Sequence, residues 1–203
     1  MKGLVRFLLE GLFRFRVHNP AVLDTPGPVL LIPNHVSWLD WLFLGAILDD
    51  DWKFVVSDAV AHKSWLHRWI MVNDRTFRID TSSPYAVRHM AEHLNQKGRL
   101  VLFAEGTISH TGSLMKLFDG TGFLLHKTHA RLITAYLRGA ERLKLARQAG
   151  WKRWFHPVSV HFSEVLEAPE LPGVGPHSAR IKITNWLRER MIHQKFEVEM
   201  QEG

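Results

Sequence analysis

A histidine and an aspartate, His35 and Asp40, follow a short apolar run at residues 29–32. Residues five apart in a regular helix are separated by roughly 140° around its axis, so the two side chains can meet only if the helix begins after His35. Ser37 predicts such a start, because Ser37 and Asp40 have the spacing of a capping box. A histidine beside a carboxylate is a candidate general base. In the alternative interpretation, Asp40 only caps a helix and His35 is an ordinary loop residue.

A second candidate stretch, Glu105-Gly106-Thr107, closely follows the apolar run at residues 100–103. Further glycines and hydroxyl residues follow, together with Ser113 and Lys116. A glycine-rich turn after a strand can hold a phosphate through its backbone N–H groups, although this spacing is not that of a P-loop. In open α/β sheets ligands bind at the carboxyl ends of the strands. We therefore expect His35 and Glu105 to face one crevice.

The hydrophobic pattern predicts the elements that position these residues. Strands are expected at residues 29–32, 52–56, 77–79, 100–103, 131–137 and 157–162, and helices at residues 2–16, 38–48 and 84–98, after Gly120 and after a cap at Ser178. Strands that alternate with helices indicate an α/β fold with a mixed, largely parallel sheet flanked by helices. A length of 203 residues is enough for one domain over residues 1–203.

The composition narrows the possible partners. The chain has no cysteine, which excludes disulfides, a thiol nucleophile and a cysteine-ligated zinc site. A net charge of +6 favours an acidic partner, namely nucleic acid, an anionic membrane surface or an acidic protein. Eight Trp and twelve Phe beside many basic residues are typical of a membrane interface. Since no nucleic-acid-binding signature is present, we expect no nucleic acid partner.

An N-terminal amphipathic helix, assigned to residues 1–20, is the first candidate for membrane contact. Lys2, Arg6 and Glu10 form a polar stripe, and the remaining surface is more widely apolar than packing on one core requires. An interfacial membrane helix and a core helix buried on two sides both fit this pattern. No apolar run reaches the roughly 20 residues of a spanning helix. Residues 65–70 and the basic, Trp-containing segment 138–154 are further candidates.

A zinc-peptidase pattern, H-x-x-E-H, occurs at His89, Glu92 and His93. Both histidines would lie on one helix face, but nothing marks a third metal ligand. Two histidines beside an ordinary amphipathic face is the preferred interpretation, so no metal is expected, and a zinc hydrolase is kept as a rival.

Two stretches together carry a family resemblance. Asn34-His35 with Asp40, followed by the Phe-Ala-Glu-Gly-Thr of residues 103–107, resembles the N-H-x-x-x-x-D and F-P-E-G motifs of glycerolipid acyltransferases. Residues 111–123 and 138–141 look closer still to the acyltransferase domain of the bifunctional 2-acylglycerophosphoethanolamine acyltransferase/acyl-carrier-protein synthetase. The resemblance covers nearly the whole chain, and the combination of the two motifs is highly specific.

The resemblance implies the glycerolipid acyltransferase fold and acyl transfer from a thioester to a glycerol hydroxyl of a lysophospholipid. His35 is then the general base and Asp40 the carboxylate that orients it. The residues implied for the glycerophosphate are Glu105, Gly106, Thr107, Ser113, Lys116 and Arg78. No resident cofactor is implied, because acyl carrier protein or coenzyme A brings the acyl group as a co-substrate.

The resemblance also suggests where the protein acts and on what. It implies 2-acyl-glycerophosphoethanolamine as acceptor, a link to an acyl-carrier-protein synthetase domain, and the cytoplasmic face of the bacterial inner membrane. The alternatives are a 1-acylglycerol-3-phosphate acyltransferase and a non-catalytic module that binds lipid or carrier protein. Ala104, Ile108 and Thr134 depart from the family pattern, and Arg75 or Arg78 would have to replace a missing arginine of the second motif. Fewer cationic contacts suit a diester acceptor better than a phosphate monoester.

Overall fold

The structure is a computed structural model that describes residues 2–61, 73–80, 83 and 85–202. Its strands are β1 (Arg16–His18), β2 (Val29–Pro33), β3 (Trp52–Ser57), β4 (Thr76–Ile79), β5 (Arg99–Val101), β6 (Arg131–Arg138) and β7 (Ser159–Phe162). They form one sheet in the order β1-β7-β6-β2-β5-β3-β4. Each neighbouring pair is parallel except β6 and β7, which are antiparallel.

Helices cover both faces of this sheet. They are α1 (Lys2–Phe13), α2 (Asp40–Gly45), α3 (Asp58–Ala61), α4 (Ala86–Asn95), α5 (Gly120–Thr128) and α6 (Pro176–Glu202), with short 3₁₀ turns at Pro20–Asp24 and Ala140–Arg142. Side chains alternate between the two faces of a strand. Val29 and Leu31 of β2 therefore pack with α1 and α2, whereas Leu30 and Ile32 pack with α4, α5 and α6. The predicted fold class is confirmed.

Strand β1 was not predicted, and it shortens the N-terminal helix. The helix was expected to end at residue 16, within an amphipathic segment assigned to residues 1–20. In the structure it ends at Phe13. Arg14 has a φ of 45°, which takes the chain out of the helical conformation. The next residues then pair in parallel with β7, Arg16 opposite Ser159. This pairing joins positions more than 140 residues apart, so no local pattern reveals it.

Helix α1 is buried on one side only, so it is not a core helix buried on two sides. Leu9 and Phe13 are buried in the core, which supports a packed helix. Leu4 and Phe7 are 65% and 70% exposed, and Leu8 and Leu12 are exposed beside them. The helix thus has one apolar face on the core and a second apolar face toward solvent. In the part of the chain that the structure describes, no helix is both long and apolar enough to cross a membrane.

Several helix boundaries differ from the predicted ones. Helix α2 spans Asp40–Gly45, within the predicted 38–48. Helix α6 begins at Pro176, so Ser178 lies inside its first turn and does not cap it. The start expected at residue 84 and the aromatic patch at residues 65–70 lie outside the described residues.

Candidate active site

His35 and Asp40 meet at the C-terminal end of β2. His35 Nδ1 lies 2.9 Å from Asp40 Oδ2. Helix α2 begins at Asp40, so His35 stands outside it, as the spacing required. The Asp40 side chain is fully buried, whereas that of His35 is 19% exposed. Because a carboxylate oxygen accepts, the proton of the neutral imidazole lies on Nδ1, which leaves Nε2 as the acceptor.

Asp40 also organises the turn that leads into α2. Its Oδ2 accepts hydrogen bonds from the backbone N–H groups of Val36 at 2.7 Å and Ser37 at 2.9 Å. The hydroxyl of Ser37 in turn accepts from the N–H of Leu39 at 3.2 Å. Since α2 begins at Asp40 with Leu39 as its N-cap, and no side chain bonds at that cap, Ser37 does not cap the helix as predicted. One oxygen of Asp40 therefore both holds the turn before α2 and contacts His35.

The backbone of His35 is held by the loop that follows β5. Its N–H donates to Glu105 Oε1 at 2.8 Å, and its C=O accepts from the N–H of Ser109 at 2.7 Å. The imidazole also stacks on the ring of Phe103, with 4.2 Å between ring centroids. The sequence did not reveal these supports from Phe103 and Ser109, because their contacts with His35 are specified only by the pairing of β2 with β5.

Glu105 is engaged within the protein by both of its oxygens. Besides the bond to His35, its Oε2 accepts from the backbone N–H of Met115 at 2.8 Å. The side chain is 7% exposed, and burial raises the pKa of Glu105 above its usual value, against the opposing effect of the two backbone hydrogen bonds. These contacts differ from the direct substrate contact predicted for Glu105. They make its carboxylate the link between two loops of the site.

The turn after Glu105 is open. Gly106 is exposed and has a φ of 69°, a left-handed conformation that favours glycine. Thr107 Oγ1 accepts a hydrogen bond from Arg147 Nη1 at 3.3 Å. Ser113 and Lys116 are exposed, and the C=O of Ser113 accepts from Ser109 Oγ at 2.8 Å. Arg147 was not among the predicted site residues, because it stands 40 positions after Thr107.

Arg147 belongs to a long connection, the basic loop (residues 139–156), that lies across the site. Its Leu145 C=O accepts a hydrogen bond from the N–H of Trp38 at 3.1 Å. Its Ala146 forms an antiparallel bridge with Ser37. The basic loop therefore contacts both the turn after His35 and the turn after Glu105, and it forms one wall of the site.

Two residues that bear on the departures from the family pattern, Arg75 and Thr134, have partners within the protein. Arg75 donates to the carbonyls of Gly45, Leu48 and Asp49, each at 3.0 Å, so its guanidinium holds the C-terminal end of α2. Arg78 is exposed on β4. The N–H of Thr134 donates to Ser163 Oγ at 3.0 Å, a bond that proline could not make, and its hydroxyl bonds to Gln194 of α6 at 2.8 Å.

The zinc pattern has a packing role in the structure. The rings of His89 and His93 both pack on Phe77, with centroid distances of 4.7 and 5.2 Å. Glu92 pairs with Arg88 at 3.1 Å on the helix surface. Burial lowers the pKa of His93, helped by the charges of Lys53 and His89. Within the described ranges, no three His, Cys, Asp or Glu side chains are grouped as metal ligands.

Comparison with known proteins identifies the family of this chain and a solved structure of similar fold. The family model for acyltransferases matches residues 14–138, which include both the His35 turn and the Glu105 turn. The crystal structure of the 1-acyl-sn-glycerophosphate (LPA) acyltransferase PlsC from Thermotoga maritima is similar, with a TM-score of 0.66 and 15% sequence identity. The match covers 95% of this chain and 77% of that one, and at this identity it shows a shared fold. This chain belongs to the acyltransferase family and is an acyltransferase enzyme.

Proposed function

We propose that this enzyme moves a fatty acyl group from a thioester, acyl carrier protein or acyl-coenzyme A, to a glycerol hydroxyl of a lysophospholipid. The observation that carries the proposal is the 2.9 Å contact between His35 Nδ1 and the buried Asp40 carboxylate, in an imidazole that is partly open to solvent. The closer resemblance of the sequence to the bifunctional 2-acylglycerophosphoethanolamine acyltransferase supports 2-acyl-glycerophosphoethanolamine as the acceptor.

In the proposed reaction, His35 acts as the general base. Its Nε2 takes the proton of the acceptor hydroxyl while the hydroxyl oxygen attacks the thioester carbonyl. The new C–O bond forms, the C–S bond breaks, and the imidazolium returns the proton to the leaving thiolate, which departs as a thiol. Asp40 keeps the Nδ1 proton in place and stabilises the imidazolium. Such a base typically contributes about 10²–10⁴-fold to the rate.

The turn after Glu105 supplies the proposed contacts to the glycerophosphate. Gly106 offers an exposed backbone, and Thr107 carries a hydroxyl that already contacts Arg147. Ile108, which departs from the family pattern, is buried and uncharged. Arg147 instead brings a guanidinium to the turn after Glu105. Lys116 and Ser113 stand exposed on the same loop. In this proposal Glu105 positions His35 and the loop and does not touch the phosphate, which it would repel.

A phosphate monoester acceptor is the second candidate. The T. maritima protein of similar fold is named for 1-acyl-sn-glycerophosphate, and Arg147 adds a cation to the proposed phosphate contacts. This contact weakens the sequence argument that fewer cations favour a diester acceptor. We retain 2-acyl-glycerophosphoethanolamine as the first choice, since its support comes from residues 111–123 and 138–141 of this chain.

Two exposed apolar surfaces support action at a membrane, which we propose to be the cytoplasmic face of the bacterial inner membrane. One is the outer face of α1, with Phe7 70% exposed. The other is the end of the basic loop, where Trp151 and Trp154 are 84% and 65% exposed. The ring of Phe155, near the end of the basic loop, lies 5.5 Å from that of Phe13, the last residue of α1, so the two segments meet there. Arg153 and Lys144 lie over the Trp151 and Trp154 rings, the mixture found at membrane interfaces.

A turnover assay tests the proposal. The purified enzyme is given each donor in turn, with 2-acyl-glycerophosphoethanolamine, 1-acylglycerol-3-phosphate or a lysophosphatidylcholine dispersed in uncharged detergent. We expect acyl transfer to the first acceptor, and a fall of about 10²–10⁴-fold in the His35→Ala variant. Wild-type enzyme that turns over none of the pairs, or a folded His35→Ala variant with full activity, contradicts the proposal. Preference for 1-acylglycerol-3-phosphate establishes the second candidate instead.

A further inference from the structure

An open cleft of about 590 Å³ lies where β1, β7 and β6 meet. Its charged and titratable lining consists of Arg14, Arg16, Arg138, Arg142, His156 and Glu141. The register of the sheet explains how these residues come together, because Ser159 pairs with both Arg16 and Arg138. Arg16 and Arg138 therefore occupy one rung, two strands apart, which places their Cα atoms about 10 Å from each other. We refer to this site as the arginine cleft.

The charge of the arginine cleft suits an anion. Four arginines face one glutamate in its lining, and that glutamate contacts Arg142 at a distance of 3.8 Å. Like charges gathered in one cleft repel each other, and a bound anion removes that repulsion. Guanidinium groups match phosphate oxygens in geometry better than ammonium groups do. The chemistry of the lining therefore indicates a phosphate-bearing ligand.

The shape of the arginine cleft depends on a glycine. Gly139 has a φ of 87°, and a Cβ atom there would stand 2.0 Å from the C=O of Pro157. Glycine is therefore required at this wall, and it allows the basic loop to turn sharply after β6. That turn leaves Arg142 in the same cleft as Arg138.

The arginine cleft begins next to the residues that hold the proposed base. The side chain of Asn34 accepts a hydrogen bond from the N–H of Leu137 at 2.7 Å and donates to its C=O at 3.1 Å. Arg138 follows Leu137, and His35 follows Asn34. In the strand order β6-β2-β5, His35 has the Glu105 turn on one side and the end of β6 on the other. A reaction with two substrates can thus use both sides, and the acceptor is proposed to use the side of β5.

We propose that the arginine cleft binds the phosphate of the acyl donor, the pantetheine phosphate that acyl-coenzyme A and acyl carrier protein share. This inference rests on the proposed acyl transfer. The phosphate would lie among the arginines, and the pantetheine arm would run from there toward His35 with the thioester at its end. The acceptor would then approach the same histidine from the Glu105 turn.

The test is a double variant, Arg16→Gln with Arg142→Gln, since both side chains are exposed and can change without disturbing the core. Rates are measured with acceptor in uncharged detergent, for a long-chain acyl-coenzyme A and for the same acyl chain on carrier protein. Because a hydrogen bond to a charged group typically contributes a factor of about ten or more, we expect the KM for both donors to rise about tenfold. The KM for the acceptor should stay unchanged.

Two controls accompany this variant. Arg188→Gln removes an exposed arginine from α6, which packs on the opposite face of the sheet from α1, and should change neither KM. Arg16→Lys with Arg142→Lys keeps both charges but not the guanidinium geometry, so it should recover part of the donor affinity that the glutamine variant loses. Unchanged donor KM values in the glutamine variant overturn the inference.

Other outcomes identify a different ligand and also overturn the inference. A rise in KM for carrier protein alone indicates that the cleft reads an acidic protein surface. Weaker binding to anionic vesicles, with unchanged donor KM values, indicates a lipid headgroup. If the wild-type enzyme turns over no donor, the proposed function fails, and the cleft is still tested by titrating coenzyme A into the His35→Ala protein by calorimetry. Binding that the two glutamine substitutions weaken about tenfold then supports the cleft, and equal or undetectable binding refutes it.

Discussion

Replacing Asp40 with asparagine separates its two roles, because the side chains have nearly the same shape. Two backbone N–H groups, those of Val36 and Ser37, point at Oδ2. The asparagine oxygen should therefore take that position and its NH₂ group the position of Oδ1, an atom that is buried and has no hydrogen-bond partner among the described residues. His35 would still donate its Nδ1 proton to an oxygen. The substitution then removes the negative charge and leaves the tautomer and the turn in place.

The expected loss of activity follows from that charge. Two opposite unit charges about 4 Å apart attract by about 4 kcal/mol at an effective dielectric constant of about 20. This sets an upper limit of about 10³-fold, since each 1.36 kcal/mol or so changes a rate about tenfold. The lower limit is about tenfold, the difference between a neutral and a charge-assisted hydrogen bond. We expect kcat of Asp40→Asn to fall about 100-fold.

The assay combines kcat, at saturating donor and acceptor, with thermal unfolding. Asp40→Asn should keep nearly the wild-type Tm, whereas Asp40→Ala removes the acceptor of three hydrogen bonds and should cost about 1–3 kcal/mol. For a chain of this length that loss lowers Tm by several degrees, at about 2–4 °C per kcal/mol. Wild-type kcat in Asp40→Asn would refute a catalytic role for the charge. A fall in kcat well beyond the upper limit of about 10³-fold would show that the turn does not hold the oxygen as reasoned.

Three further predictions concern other parts of the molecule. Glu105→Gln places an NH₂ group against a backbone N–H, so Tm should fall by several degrees. Burial raises the pKa of Glu105, so the wild type should lose more stability than the variant as pH rises through that pKa, and denaturation at several pH values measures the difference. Phe7→Ser with Leu8→Ser should weaken vesicle binding in a flotation assay at unchanged Tm, whereas Phe15→Ser, at a side chain only 5% exposed, should lower Tm. Metal chelators and the His89→Ala substitution should each leave turnover nearly unchanged. Stoichiometric zinc in the purified protein, lost together with activity in that variant, would favour the rival zinc hydrolase.

Local patterns were sufficient for the parts of the site that lie close together in sequence. The contact of His35 with Asp40 agrees with the five-residue spacing, although the predicted cap at Ser37 is absent from α2. The six predicted strands follow from apolar runs that are fully or partly buried in the sheet. The sheet class then follows from the alternation of strands with helices, and it brings the two turns to one edge.

The parts that could not be predicted are contacts between distant segments. Three-residue β1 carries no recognisable pattern and exists because β7 pairs with it. Phe15 falls within the helix predicted over residues 2–16, but β1 follows it directly and its side chain enters the core. The contact of Arg147 with Thr107 depends on the path of the basic loop. The engagement of Glu105 by two backbone N–H groups depends on loop conformations that composition does not specify.

The position of β2 in the sheet explains why the proposed base sits where it does. β2 is flanked by β5 and β6, so the turn after it is the one place from which a side chain can face the loops of both neighbours. The β5 loop holds the backbone of His35, and the end of β6 holds Asn34. Each of the two proposed substrate sites is thus built on a segment that also fixes the histidine. The same hydrogen bonds therefore set the distance from His35 to each of the two proposed substrate sites. A shift in either loop would change the position of the base relative to its substrate.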